Sequence, residues 1–379
     1  MWRECSILVR NPIYLFCMIL FPMLIMLFFT SLMSEGLPTE LPCGVVDHDN
    51  TSTTREIARR LDGMQTSHVV GRYNSVSEAR QAIQRGEIYA FMYFPKGTTA
   101  DLLASRQPTI SFYYSSVTLM TGALLMRDMK TTTMLASAAV GAAKLSAIGK
   151  SEGEIQAFLQ PIVIDVHLPN NPWTNYNVYL TTMMVPGLFM LLFTLLTVYA
   201  IGTELKFNRS KVWMRLARGN IVVAMVGKLL PHALVFLTVT FTYQWYIYNH
   251  LGFPHAGSVW HIILLGLLMV GSSQGFGIFM FGIAPSLRMS MSVCSLWAVL
   301  GISLSGATYP VFAMHPILEA VSWLFPLRHY YMTYQLCVFN GYPLFDAWSN
   351  VMILFAFAMM PILVLGRIRK AMMEYVYIP

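Results

Sequence analysis

The run Ile13–Met33, IYLFCMILFPMLIMLFFTSLM, has 21 residues and not one Asp, Glu, Lys or Arg. A helix needs about 20 mostly apolar residues to cross the hydrocarbon of a bilayer. Inside lipid the backbone must satisfy its own hydrogen bonds, so such a run is expected to be helical. A cleaved signal peptide is the competing reading, because Arg3 and Arg10 form a basic flank. A signal core is about 7–15 residues. This run is longer and carries Phe21, Phe28 and Phe29, so a retained span is expected.

Five more stretches repeat the pattern: Leu180–Ile201, Leu229–Tyr248, Val259–Ala284, Met289–Tyr309 and Trp348–Leu365. None alternates as a barrel strand would. Pro22, Pro186 and Pro361 lie inside spans, where membrane helices tolerate them. Hydrophobic residues make up 56% of the 379 and charged residues 11%, against about 45–50% and about 25% in soluble domains. A single soluble enzyme, a disordered chain and a fibrous protein are excluded. The expected fold is a polytopic α-helical membrane protein with six transmembrane helices and one inserted domain.

Orientation is read from Lys and Arg in short loops. The N-terminal stub holds Arg3 and Arg10. The loop after the second span holds Lys206, Arg209, Lys211, Arg215, Arg218 and Lys228, the next loop on that side Arg288, and the tail Arg367, Arg369 and Lys370. The opposite loops, 249–258 and 310–347, hold only Arg328. Twelve against one places both termini in the cytoplasm and makes the net charge of +7 an orientation signal, not a nucleic-acid footprint. A seventh span at Val311–Leu327 would carry the basic tail outside and is rejected. The five cysteines show no disulfide framework or zinc spacing.

Residues 34–179 contain 12 Lys/Arg and 13 Asp/Glu, far denser in charge than the rest. They read as an extracytoplasmic α/β domain inserted between spans one and two, with residues 1–33 as stub and first span and 180–379 as the remaining spans. Strand-like runs at Cys43–Val46, His68–Tyr73, Ile88–Phe94 and Thr109–Tyr114 alternate with helical patterns at Ser52–Leu61, Ser77–Gln84 and Thr98–Ala104. Ser75 and Glu78 have capping-box spacing. From Thr118 to about Leu159 the chain is helix-like, and Pro161 and the Pro169–Pro172 stretch break it before span two.

The spans carry no Asp, Glu, Lys or Arg. Ion-coupled transporters use such residues, so energy is expected from outside the membrane; the only titratable candidates within the spans are His232 and His261, both near span ends, with Tyr and Cys. Gly149-Lys150-Ser151 resembles a phosphate loop, but position 144, which should be Gly, is Lys144. It reads as a helix-ending turn. His48 between Asp47 and Asp49 resembles a metal cluster but reads better as a strand end followed by turn and cap residues. Phe276, Phe279 and Phe281 read as packing, and Gly271, Gly275, Gly277 and Gly282 as sites of close helix approach. No catalytic triad or carboxylate pair is visible, so an intramembrane enzyme is poorly supported.

The basic loop 202–228 is the chemically informative stretch. Lys211–Arg218 mixes cations with large apolar residues, which suits an interfacial helix on anionic lipid or a docking helix for a cytoplasmic partner. On the docking reading Trp213 and Met214 are anchors, Lys206, Lys211, Arg215 and Arg218 steer, and Glu204 transmits motion from span two.

Several motifs occur in a telling order: Gly44-Val45-Val46-Asp47 followed by Asp49-Asn50-Thr51-Ser52, Ile88–Pro95, Asn171-Pro172-Trp173, Gly202-Thr203-Glu204, Gly227–Pro231 and Phe325–Tyr330. With one span, a large outer domain and five more spans, the chain resembles permease subunits of ABC transporters of the type-2 exporter subfamily, in its bacterial drug-exporter-like branch. Two departures stand out: Thr203-Glu204-Leu205-Lys206 replaces the usual Glu-x-Gly-Thr ending, and the N-terminal stub is short. The resemblance implies a partner ABC ATPase carrying ATP and Mg²⁺, no cofactor on this chain, and a second permease, identical or a sister. Membrane lipid and a periplasmic adaptor protein are further partners to test. It also implies that Val311–Leu327 folds back over the exit, with Phe312, Leu318, Trp323, Leu324 and Phe325 as gate residues buried in protein. The function expected is export of an amphipathic or lipid-like compound across the inner membrane. A non-transporting scaffold or sensor, whose outer domain binds a ligand or envelope protein, is the alternative; an ATPase that co-purifies separates the two.

Overall fold

A computed structural model describes residues 2–104, 106–162, 167 and 170–375. The chain divides into two compact units, residues 35–167 and residues 1–34 with 168–379. The domain end expected at residue 179 falls inside the helix Tyr176–Lys206, which starts early because the Asn175 side chain caps the backbone N–H groups of Asn177 and Val178.

The unit 35–167 is built on a four-stranded sheet: β1 (Leu41–Asp47), β2 (Ser67–Tyr73), β3 (Ala90–Phe94) and β4 (Ser111–Tyr114), in the order β2-β1-β3-β4. β1 pairs in parallel with β2 and β3, and β4 runs antiparallel to β3. Successive strand residues point to opposite faces. Val45 and Met92 therefore pack with Ile57, Leu61, Leu125 and Met129 on one side, while Val46 and Phe91 pack with Ala79 and Ala82 on the other. Helices on both faces leave β1 apolar and buried, as parallel strands usually are. Ser75 Oγ accepts the Glu78 N–H at 3.1 Å, but the Glu78 carboxylate takes the Asn74 N–H instead of closing a box on Ser75. Reciprocal boxes form at Thr51/Thr54 and Ser151/Glu154. The helix-like stretch is two helices, Leu119–Ala147 and Glu152–Leu159. Pro169, expected to break it, lies outside the described residues.

In the other unit, five helices among the described residues are long and apolar enough to cross a membrane: Pro12–Leu32, Tyr176–Lys206, Ile221–His250, Val259–Ile283 and Leu344–Glu374. The expected run Met289–Tyr309 is a shorter apolar helix, Leu287–Ser303, of 17 residues. It stops early because Ser305 Oγ bonds back to the Ile302 carbonyl and Gly306 turns the chain at φ +96°. Pro22 has no N–H to give, and the turn before it widens into a π-helical Phe16–Leu20. Pro361 breaks the last apolar stretch into Trp348–Met359, a 3₁₀ turn at Met360–Leu363 and Leu365–Glu374.

Val259–Ile283 packs against Tyr176–Lys206 and Trp348–Met359. A Cβ at Gly277 would lie 2.9 Å from the Thr194 carbonyl oxygen, and one at Gly275 would collide with the Phe357 carbonyl, so both glycines permit close backbone approach. Phe276 and Phe281 are buried packing residues, with the Phe276 ring 5.7 Å from Trp297.

Candidate functional site

Four ionisable side chains, distant in sequence, converge where the helices Tyr176–Lys206 and Ile221–Trp245 approach the basic loop. Glu204 Oε1 accepts from Arg3 Nη2 at 2.5 Å and from Lys228 Nζ at 2.8 Å. Lys228 Nζ also donates to Glu4 Oε2 at 2.9 Å. Lys228, Glu4 and Glu204 are buried, and Arg3 is partly exposed. Two acids balance two bases, which offsets the cost of taking each charge out of water. The arrangement fastens the N-terminal helix Trp2–Arg10 to the end of one membrane helix and the start of the next. Trp213 covers it, with Lys228 Nζ 5.6 Å from the indole centroid. One helical turn beyond Lys228, His232 is buried with Nδ1 2.9 Å from the Lys228 carbonyl, and Tyr14 meets its ring edge-on at 5.4 Å.

The loop is short and tightly wound. Arg209 N–H bonds to the Glu204 carbonyl at 2.8 Å, Asn208 turns at φ 54°, and Ser210–Leu216 forms a helix. Arg218 and Gly219 reverse the chain at φ 54° and 75°, and Asn220 caps the following helix. A cavity of about 490 Å³ opens beside the helix, lined by Arg3, Glu4, Trp213, Leu216, Val223 and Lys228 among others.

This placement corrects the expected anchors. Trp213 is only 4% exposed and Met214 1%, because both face their own bundle under Lys228. The residues pointing away are Phe207, Val212 and Leu216, the last 67% exposed, with Lys206, Lys211, Arg215 and Arg218 around them. A mixed apolar and cationic face therefore exists, but on the side of the helix opposite the tryptophan.

The expected exit gate is also rearranged. Val311–Leu327 contains the 3₁₀ turn Val311–Ala313 and the helix Pro316–Ser322 before Pro326 starts another, Pro326–Thr333. Phe312 is 89% exposed, and Leu318, Trp323 and Leu324 are exposed too. Only Phe325 is buried, its ring 4.8 Å from that of Trp297. The prolines cut the segment into pieces too short to cover one another, so within one chain most gate residues have no protein over them. Behind them Arg328 stacks on Trp323 at 4.5 Å, and His329 is held between Asn350 Oδ1 at 2.8 Å and the Trp323 carbonyl at 2.9 Å.

The other sequence candidates are structural. Asp47 accepts the N–H groups of Asp49 and Asn50, and Asp49 accepts from the N–H groups of Gly97 and Thr99 and the Thr99 hydroxyl. His48 contacts the Asn74 carbonyl at 2.9 Å. Among the described residues no three His, Cys, Asp or Glu side chains are grouped to hold a metal. Gly149 is a left-handed turn at φ +84°, and Ser151 caps the helix that follows. All five cysteines are free. His261 lies 3.3 Å from the Cys337 carbonyl.

Sequence reasoning singled out Glu204 but missed Arg3 and Lys228 as its partners, and Glu4, which shares Lys228 with it. The available signal was a charge at the end of each of three apolar segments.

Compared with known families, residues 12–366 match the family described as ABC-2 family transporter protein. No curated protein matches the chain.

Proposed function

This chain belongs to the ABC-2 family of transporters, and on that premise we propose that it is the permease of an ATP-driven exporter moving an amphipathic or lipid-like compound out across a bacterial inner membrane. A separate ABC ATPase carries ATP and Mg²⁺. The chain crosses the membrane six times with both termini cytoplasmic, Leu287–Ser303 being the short crossing. It works with a second copy or a sister permease. The exposed Phe312, Leu318, Trp323 and Leu324 meet their counterparts there and close the exit, while anionic lipid neighbours the basic loop. A periplasmic adaptor is compatible with the inserted domain.

The observation that carries this reading is the joint at Glu204. One carboxylate binds the N-terminal helix through Arg3 and the next membrane helix through Lys228. Six residues further the chain enters the short helix with the outward face Lys211, Val212, Arg215 and Leu216. A pull on that face reaches the N-terminal helix and the next membrane helix through the ion pairs at Glu204. Val212 and Leu216 dock in the ATPase, and the cations steer an acidic surface toward them.

The test is capture of the ATPase by the permease in one fixed detergent. Val212→Asp with Leu216→Asp should weaken the complex about tenfold or more, the scale of an interface hot spot. Trp213→Ala should chiefly lower permease stability, because Trp213 packs inside the bundle. ATPase capture unchanged by the aspartates removes the docking role from this helix.

A further inference from the structure

Along the Tyr176–Lys206 helix, at the opposite end from Glu204, a second cavity lies within the same unit. Tyr179 and Glu204 are roughly 38 Å apart at 1.5 Å per residue. The cavity measures about 410 Å³, within reach of the about 300–1,000 Å³ typical of ligand sites. One wall is the segment Asn171–Thr182 and the other is Tyr331–Phe339. The second wall is unusual: helix Pro326–Thr333 passes into a π-helical turn, Tyr334–Phe339. Such turns place side chains that a regular helix cannot, and they recur at functional sites.

The lining is aromatic and amide. Tyr176, Tyr179, Tyr331 and Tyr334 contribute rings, and Asn175 and Gln335 contribute amides. Gln335 Nε2 donates to the Tyr331 hydroxyl at 3.0 Å. None of the lining residues is Asp, Glu, Lys, Arg or His. That lining selects by chemistry. An anion entering would give up hydration and find no positive partner, and a cation would find ring faces but no carboxylate. A neutral hydroxylated group finds amides that both donate and accept, beside flat apolar ring faces.

We propose that this cavity binds the uncharged, hydroxyl-bearing headgroup of an amphiphile, a sugar-like or polyol head, as an exit-side station for the transported compound. The assignment rests on the export reading above and narrows its substrate class.

The test is photolabelling of the purified chain in phosphatidylcholine nanodiscs, with no ATPase present. The probe is an alkyl glucoside with a diazirine beside its headgroup, compared with the same tail carrying trimethylammonium. Labelled peptides are mapped by mass spectrometry. The glucoside should label residues 171–182 and 331–339, octyl glucoside should compete, and the ammonium probe should label these peptides several-fold less. Gln335→Leu should cut glucoside labelling about 3- to 10-fold, the scale of one lost hydrogen bond. If Gln335→Leu does not fold, Tyr176→Leu carries the test through loss of a ring wall. Equal labelling by both probes, failure of octyl glucoside to compete, or labelling unchanged in the folded variant overturns the proposal. Because no ATP is needed, a failure of coupled export leaves this result standing, and the reverse also holds.

Discussion

At the scale of single residues, Lys228 is the most exposed to failure by mutation. It is buried and serves two carboxylates, Glu4 and Glu204. Lys228→Met keeps the volume but leaves two buried acids with only the partly exposed Arg3 as counter-charge. Breaking a buried pair in this way costs about 3–5 kcal/mol, whereas removing the charges together is often neutral. Thermal unfolding of the purified chain should show a large loss for Lys228→Met and partial recovery when Glu204→Gln is added. A single mutant as stable as the parent would mean the pairs do not form. Glu204 was legible as important because it stands alone at the end of an apolar run. Its partners were not, since residues 3, 4 and 228 meet only after three helices have packed. The same limit explains Trp213. Its mixture with cations suggests an amphipathic helix, but sequence does not say which face turns inward, and the buried Lys228 amine beneath the indole decides that.

At the scale of elements, the strands and short helices of the unit 35–167 were readable to within a few residues. Their signals are local: β-branched and aromatic runs, turn residues and caps. The antiparallel β4 at the edge was less so, because pairing direction depends on how the chain returns. The run ending at Tyr309 was overextended for a local reason of another kind: hydropathy does not register Ser305 and Gly306 as a stop. The strand ends offer a test. Burial alone would raise the Asp49 carboxyl, but the hydroxyl and N–H of Thr99, the N–H of Gly97 and the Thr51 hydroxyl outweigh it and hold it below the usual 3.8. The unfolded chain therefore takes up the proton first as pH falls. Asp49 should contribute fully above about pH 4 and lose its contribution as pH drops through its folded-state value. Thermal midpoints measured from pH 7 downward should show Asp49→Asn less stable than the parent at neutral pH, with the gap closing in acid. A gap that stays constant would show that the carboxylate's charge plays no part in joining β1 to the 97–99 loop.

At the scale of the whole molecule, the sequence pattern of one span, a charged insertion and further spans was decisive because lipid permits few alternatives. A continuous apolar run has to be helical, and a dense charged segment has to leave the bilayer. What stays outside that logic is direction, which rests on twelve cations against one in the short loops. The count includes Lys228, which is buried in ion pairs. Arg328, the lone opposing cation, is buried and stacked on Trp323, while Lys206, Arg209, Lys211, Arg215 and Arg218 are exposed and free to face anionic lipid headgroups or a cytoplasmic partner. Reporters must be exposed and must avoid the native thiols. Cys5 is exposed and is replaced by Ser, while Cys43 is buried, its thiol pushed up to about 12 by burial and then by Asp62 and Asp128. Low thiolate content and burial make it slow to react. Ser77→Cys and Lys211→Cys both lie on exposed helix positions. In intact spheroplasts a membrane-impermeant maleimide should label position 77 and leave position 211 unlabelled until the membrane is opened. Labelling of 211 alone in intact spheroplasts would invert the molecule, remove the basic helix from any cytoplasmic ATPase, and turn the proposed exit-side cavity into an entry-side one.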